Sequence, residues 1–299
     1  MNGFLVIDKP QGLTSHDVVA RARRLLKEKR IGHLGTLDPL ATGVLPLAVG
    51  TATRLVEFLS GDDKAYVATL KLGEETDTQD AEGKVVATAP VPALSRTEIE
   101  RVFSSSVGRI RQRPPMFSAV KIDGTPLYRL ARKGLEVDRA EREVEIFRLE
   151  IISLELPHIT FAVECSKGTY VRTLSRDLGE ALGSRAHLTY LRRTRSGIFF
   201  LDDALTMEAL GRGDPLKLLP LEAGLRNFRC LEVVAEGRIP LSHGIPPETA
   251  EVGGTECCRD GETVALTGEG KLLAMARFAP GRLQEKRGDF ELLRVFEAA

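Results

Sequence analysis

The chain has no tryptophan, two asparagines (Asn2, Asn227), four glutamines and four cysteines in 299 residues, and its 42 Lys+Arg balance its 42 Asp+Glu. Each shortage excludes something. Four scattered cysteines (Cys165, Cys230, Cys257, Cys258) are too few for a disulfide scaffold, form no C-x-x-C pair and stand at no zinc-ligand spacing from a histidine. Metal and thiol redox chemistry are therefore not expected. No apolar run approaches the 18 or so residues of a membrane-crossing helix. The opening Met1 to Pro10 lacks a basic n-region, and Asp8 cuts its apolar run short; this is a first strand, not a signal peptide, and the cytoplasm is the expected address. Neither G-x-G-x-x-G nor a P-loop occurs, so a nucleotide cofactor has no support.

What is present is an ordinary globular composition, 42% hydrophobic and 28% charged, long enough for one large domain or two unequal ones. The zero net charge conceals an uneven distribution. Arg21, Arg23, Arg24, Lys27, Lys29 and Arg30 crowd one decade against the single acid Glu28, and residues 101–200 are net basic, while 61–100 and 201–299 are net acidic. A neutral chain can thus still show a phosphate backbone a basic face; a solvated helix surface reads the same way.

Local patterns predict the elements. Residues 4–8 read as a strand and Lys9 to Gly12 as a turn. Thr14 and Asp17 cap a helix whose apolar face is Val18, Val19, Ala22, Leu25 and Leu26. Gly32 to Gly43 holds three glycines and Pro39, which breaks any period and marks a loop; Val44 to Val49 follows as a buried strand. Lys64 to Leu72 alternates, with Tyr66, Ala68, Leu70 and Leu72 on one side. The acidic stretch Glu74 to Gly83 lacks calcium-loop spacing and reads as a solvated turn. Further helices are expected at 95–107, 127–133 and 170–182, the last stopped by Gly183, and strands at 143–156, 159–165, 263–266, 272–278 and 290–295. No strict βαβ rhythm appears, which predicts an α+β architecture: a mixed sheet with helices, residues 1–228, followed by a small β-rich domain, 229–299.

His33, Asp38, Tyr66, Tyr170 and Arg172 invite a chemical reading, yet each has a plain one. Asp before Pro usually caps a turn, a histidine between glycines is commonly structural, a strand tyrosine is commonly core, and a helix arginine is commonly a surface cation. By spacing alone the chain is an α/β protein with a basic face and one acid held in a rigid loop, a common place for chemistry.

Gly32-His-Leu-Gly-Thr-Leu-Asp-Pro-Leu-Ala-Thr-Gly43 resembles the signature of the TruB family of tRNA pseudouridine synthases. Lys9 to Ser15, Lys64-Ala65-Tyr66, Leu72-Gly73 with Thr76 to Asp80, Pro114 to Lys121, Gly124 with Leu127-Tyr128, Cys165 to Leu174 and Leu191-Arg192-Arg193 resemble further family segments in order over about the first 200 residues. The resemblance implies a pseudouridine-synthase fold, with a mixed, largely antiparallel sheet flanked by helices, and a small C-terminal β-rich PUA-like RNA-binding domain. It implies conversion of uridine 55 in the TΨC loop of tRNA to pseudouridine, with no metal or cofactor. Asp38 would be the nucleophile, adding to C1′ of the ribose or C6 of the base, and Arg172 would hold it ionised and aimed. Tyr66 would stack on the flipped uracil, its hydroxyl or a water taking the C5 proton; Tyr170 and Leu191 would line the pocket, and His33 would fill the space the base vacates. Arg21, Arg24, Lys64, Lys121, Arg129 and Arg132 would contact RNA backbone. The expected partner is the tRNA T-arm, with no membrane, guide RNA or protein partner, and a monomer is expected. Two rivals compete: a tRNA-binding protein without chemistry, which leaves the Asp38 loop unaccounted for, and a glycoside hydrolase, which needs two flanking acids.

Overall fold

The computed structural model describes residues 1–59, 61, 63–122, 124–281 and 288–296. In chain order the elements run β1 (Gly3–Lys9), α1 (Ser15–Leu26), β2 (Ile31–His33), β3 (Thr42–Val49), the single turn α2 (Val56–Leu59), β4 (Lys64–Leu72), β5 (Glu74–Thr76), β6 (Val85–Thr88), α3 (Arg96–Ser105), β7 (Gly108–Gln112), β8 (Lys121–Ile122), β9 (Thr125–Pro126), α4 (Leu127–Ala131), β10 (Arg142–Glu155), β11 (His158–Cys165), α5 (Val171–Ala181) and β12 (Ala186–Ser196). After the short strands β13 (Phe199–Phe200) and β14 (Leu205–Thr206) come α6 (Met207–Arg212), β15 (Leu218–Leu219), β16 (Arg229–Val233), α7 (Ala235–Ser242), β17 (Val252–Gly253), β18 (Thr263–Gly268), β19 (Lys271–Phe278) and β20 (Phe290–Val295).

Eleven strands form one mixed sheet along the path β14-β1-β3-β12-β4-β11-β10-β7, with β2, β13 and β15 paired at its flanks. Pairing along that path is antiparallel except β1 with β14 and β3 with β12. The expected α+β class with a mixed, largely antiparallel sheet is what the chain adopts. Strand β3 is buried on both faces, as its unbroken apolar run requires. Leu45, Leu47 and Val49 join the core under α1, while Val44 and Ala48 face the other way. Strand β4 buries only Tyr66, Ala68, Leu70 and Leu72, the side expected from its alternation.

A second sheet, β17-β16-β18-β19-β20, has its own core with Leu231, Val264, Leu266 and Phe290. Its other face, through Ala265, Leu272 and Met275, packs on Phe4, Val6 and Val44 of the large sheet. Each of the larger side chains taken from water contributes about 1.5–3 kcal/mol, so this contact fixes the small sheet against the strands that carry the site.

Three local expectations need correction. Helix α1 begins with the Thr14/Asp17 capping box and buries Val18, Val19 and Ala22, but Leu25 is exposed: it lies beyond the edge of the stripe that meets the sheet. Gly32 and His33 are not loop but the end of β2, paired with Ala48 and Leu47. Residues 74–83 are not a solvated turn. They start with β5, which pairs with β6, and they bury Thr76, Gln79 and Asp80. Burial there follows from hydrogen bonds, since the Thr76 hydroxyl donates to the Asp80 carbonyl and the Thr173 hydroxyl to the Gln79 side-chain oxygen.

Candidate active site

The loop that carries Asp38 leaves β2 and returns into β3. Leu37, Leu40 and Ala41 are buried on either side of it. The Ser15 hydroxyl donates to the Leu37 carbonyl at 3.1 Å and accepts from its N–H at 2.8 Å. The Gly12 N–H and the Lys9 ammonium both donate to the Pro39 carbonyl. Lys9 is fully buried and also donates to the carbonyls of Pro10 and Leu13, and burial lowers its pKa to about 8. Bracketed by these anchors, the Asp38 side chain keeps 36% of its surface open, enough to meet a ligand.

Two buried arginines hold the loop from opposite sides. Arg172, on the first turn of α5 and 4% exposed, places Nε 2.9 Å from the Asp38 carboxylate. Its other nitrogens donate to the Thr78 and Phe117 carbonyls, each at 2.8 Å. Asp80, also buried, lies 3.8 Å from the same Nε and accepts from the Thr78 hydroxyl and the Glu82 N–H. Arg193, on β12, is 1% exposed and donates to three carbonyls: Val44 at 2.7 Å, Thr36 at 3.3 Å and Gly35 at 3.2 Å. The parallel pairing of β12 with β3 makes this reach possible and leaves no room at Gly43. A Cβ there would sit 2.2 Å from the Arg193 carbonyl oxygen, and its φ is +97°.

Asp38 opens into a cleft of about 260 Å³ whose walls include Tyr66, Tyr170, Leu191 and Ser118, with Lys64 and Lys167 also lining it. Tyr66 faces Arg193 across β4 and β12. Burial pushes the phenols of Tyr66 and Tyr170 above their ordinary value, partly offset by Arg193 for the first and by Ser118 and Arg172 for the second. Gln112 fixes Tyr170 by accepting from its N–H at 2.9 Å and donating to its carbonyl at 3.3 Å. One cleft thus brings together five of the residues singled out from the sequence: Asp38, Arg172, Tyr66, Tyr170 and Leu191.

His33 is not in that cleft. It packs against His16 with ring centroids 5.5 Å apart, and its Nδ1 accepts from the Gly35 N–H at 3.4 Å. Burial, with the charges of His16 and Arg193, lowers its pKa to about 4. Of the candidate backbone contacts, Lys64 borders the cleft. Arg21 and Arg24 lie instead on a groove between α1 and α6 with Leu25, Met207 and Glu208. Lys121 is exposed on β8, and Arg129 and Arg132 belong to the α4 region, Arg132 lying 5.6 Å over the Tyr128 ring.

The spacing argument overlooked Arg193, Asp80, Lys9 and Gln112. For Arg193 a signal existed: it stands two residues from Leu191 on a strand, hence on the same face. Among the described residues no three His, Cys, Asp or Glu side chains are arranged to hold a metal, and no helix is long and apolar enough to cross a membrane. The cluster offers instead one aimed carboxylate, a fixed cation beside it and two neutral aromatic hydroxyls around an open space, a set suited to nucleophilic attack on a flat ring or its sugar.

Comparison with known proteins gives consistent matches. Residues 23–171 match the model for the TruB family pseudouridylate synthase N-terminal domain, and 172–213 that for the tRNA pseudouridylate synthase B C-terminal domain. The chain is 50% identical to a "tRNA pseudouridine synthase B" of Syntrophotalea carbinolica, covering 99% of this chain and 98% of the relative. It is 47% identical to the protein of that name in Geobacter sulfurreducens (99% and 100%) and 48% to that in Moorella thermoacetica (97% and 97%). Among solved structures, the "Crystal Structure of a Cbf5-Nop10-Gar1 Complex" superposes with a TM-score of 0.74 at 28% identity, over 98% of this chain and 84% of that one. The "Structure of H/ACA RNP bound to a substrate RNA containing 2'-deoxyuridine" gives 0.73 at 26%, over 99% and 85%.

Proposed function

Because the chain belongs to the TruB family of pseudouridylate synthases, we propose that it converts uridine 55 in the TΨC loop of tRNA to pseudouridine, with Asp38 as the nucleophile. The observation that carries this reading is the Asp38–Arg172 pair, 2.9 Å apart at the edge of a cleft walled by Tyr66, Tyr170 and Leu191. The target nucleotide leaves its stack and enters the cleft, at a cost of a few kcal/mol that protein–RNA contacts offset. Tyr66 stacks on the uracil, worth about 1–3 kcal/mol by analogy with other aromatic platforms. Tyr170 and Leu191 close round it, and His33 stands where the base has left the RNA.

Arg172 holds the Asp38 carboxylate pointed at the nucleotide, to which it adds covalently. The N1–C1′ bond breaks, the uracil turns, and C5 bonds to C1′. The proton on C5 is lost and N1 gains one, so atoms and electrons balance without a co-reactant. The C5 proton passes to the Tyr66 hydroxyl or to a water beside it. A carboxylate then leaves as readily as it added.

We further assign residues 1–228 to the catalytic domain and 229–299 to a small PUA-like RNA-binding domain. The enzyme works in the cytoplasm on the tRNA T-arm as a monomer, without a guide RNA or protein partner. Relatives carrying the tRNA pseudouridine synthase B name at nearly full length support the substrate class. The test is a single-turnover assay on an unmodified tRNA transcript tritiated at uridine C5. Wild type should release tritium from position 55, and Asp38→Asn should bind tRNA but release none. Tight binding with no release by either protein would favour the tRNA-binding rival; release from another position would overturn the site assignment.

A further inference from the structure

Lys167 stands in the turn between β11 and α5, two residues past the end of the strand, and lines the same cleft as Asp38. It is exposed, and its ammonium reaches to 3.5 Å from where a side chain on Gly61 would begin, beside the start of β4 where Lys64 also borders the cleft. The two arginines of the cleft walls have fixed duties. Arg172 gives its donors to Asp38 and two carbonyls, and Arg193 gives its donors to three carbonyls. Lys167 pairs with no carboxylate among the described residues.

A cleft of about 260 Å³ has room for a base and its sugar. When the uracil lies between Tyr66 and Tyr170 and the ribose faces Asp38, the phosphodiesters on either side of that ribose must ride at the rim. Each carries a full negative charge, brought close to the carboxylate of Asp38. An unpaired cation at the rim answers both needs: it attracts the phosphate and offsets its repulsion from Asp38. We propose that Lys167 is a nucleotide-binding residue that takes a phosphodiester flanking the extruded uridine. This rests on the reading that the cleft receives a uridine from RNA.

The experiment is a cycle of protein and RNA changes on a T-arm stem-loop, read by filter binding so that it does not depend on turnover. Wild type, K167Q and K167R are each measured against the all-phosphate RNA and against RNAs with one neutral methylphosphonate 5′ or 3′ of the target uridine. K167Q should weaken binding about five- to tenfold, and its log Kd should change less steeply with log salt, by about 0.7, the loss of one single-strand phosphate contact. One of the two methylphosphonates should weaken wild-type binding similarly and K167Q no further. K167R should restore binding to within about twofold. Additive losses at both linkages, or a K167Q Kd within twofold of wild type, would overturn the assignment. Tritium release by wild type from the same stem-loop is scored separately; its absence would count against the enzymatic reading while leaving the phosphate contact to the cycle.

Discussion

Replacing Arg193 by lysine keeps the buried charge and removes the fork. In the wild type three nitrogens meet three carbonyls, of Val44, Thr36 and Gly35, at 2.7–3.3 Å. A single ammonium on a shorter reach meets one of them well, leaving about two buried acceptors unsatisfied at roughly 1–3 kcal/mol each. The expected loss is about 2–5 kcal/mol out of a total of about 5–15, so the variant folds but its Asp38 loop is held on one side only. A displacement of about 1 Å in a reacting group can lower a rate about a hundredfold. Arg193 is 1% exposed, so tRNA touches little of it. Urea unfolding, filter binding and single-turnover tritium release on Arg193→Lys should therefore give a ΔΔG of about 2–5 kcal/mol, a tRNA Kd within about threefold of wild type, and a rate about a hundredfold lower. A rate within threefold of wild type, whatever the stability, would refute the argument that this guanidinium sets the geometry of Asp38.

His33 tests the electrostatics of the same loop. Its folded pKa of about 4 lies below the ordinary 6.5, so the fold favours the neutral ring, and the stability this contributes is lost as pH falls from about 6.5 towards 4. Nitrogen-15 NMR at pH 5.5 should show His33 neutral with its proton on Nε2, because Nδ1 accepts from Gly35; an imidazolium signal would contradict this, and His33→Gln should flatten the acid limb of the unfolding curve. Gly43→Ala puts a methyl group 2.2 Å from the Arg193 carbonyl at a φ of +97°; strain and separation of β3 from β12 should lower the thermal midpoint by about 5–10 °C, on the order of 3–5 kcal/mol. A midpoint within about 2 °C of wild type would show that the two strands can part without cost.

What could be read from the sequence was local. The capping box at Thr14 and Asp17, the alternation of β4 and the apolar run of β3 each depend on neighbours a few residues apart, and each element formed as its pattern required. The rigid acid loop was legible for the same reason, since glycine and proline act on their own backbone. Leu25 was misplaced because periodicity gives a helix face but not the width of the sheet that covers it. Asp80 was misplaced because an acid-rich stretch resembles a solvated turn until a buried cation elsewhere makes use of it. The roles of Tyr66, Tyr170 and Leu191 had no support from spacing; they came with the family resemblance.

The reason lies in how the site is assembled. Arg172 joins Asp38 to the carbonyls of Thr78 and Phe117, segments separated by some forty residues in the chain at each step. Arg193 joins the same loop to β3 from a strand about 150 residues away. A guanidinium carries five donors in a rigid plane, so one buried side chain can set the distance between several loops at once. The Asp38 loop has a short motif, but its pairing with Arg172 and Arg193 has none, because that constraint runs through space. It also accounts for the division of labour in the proposed reading: the two buried arginines, with their donors taken up by protein, organise the Asp38 loop, and the proposed contact with a phosphodiester falls to Lys167 at the rim.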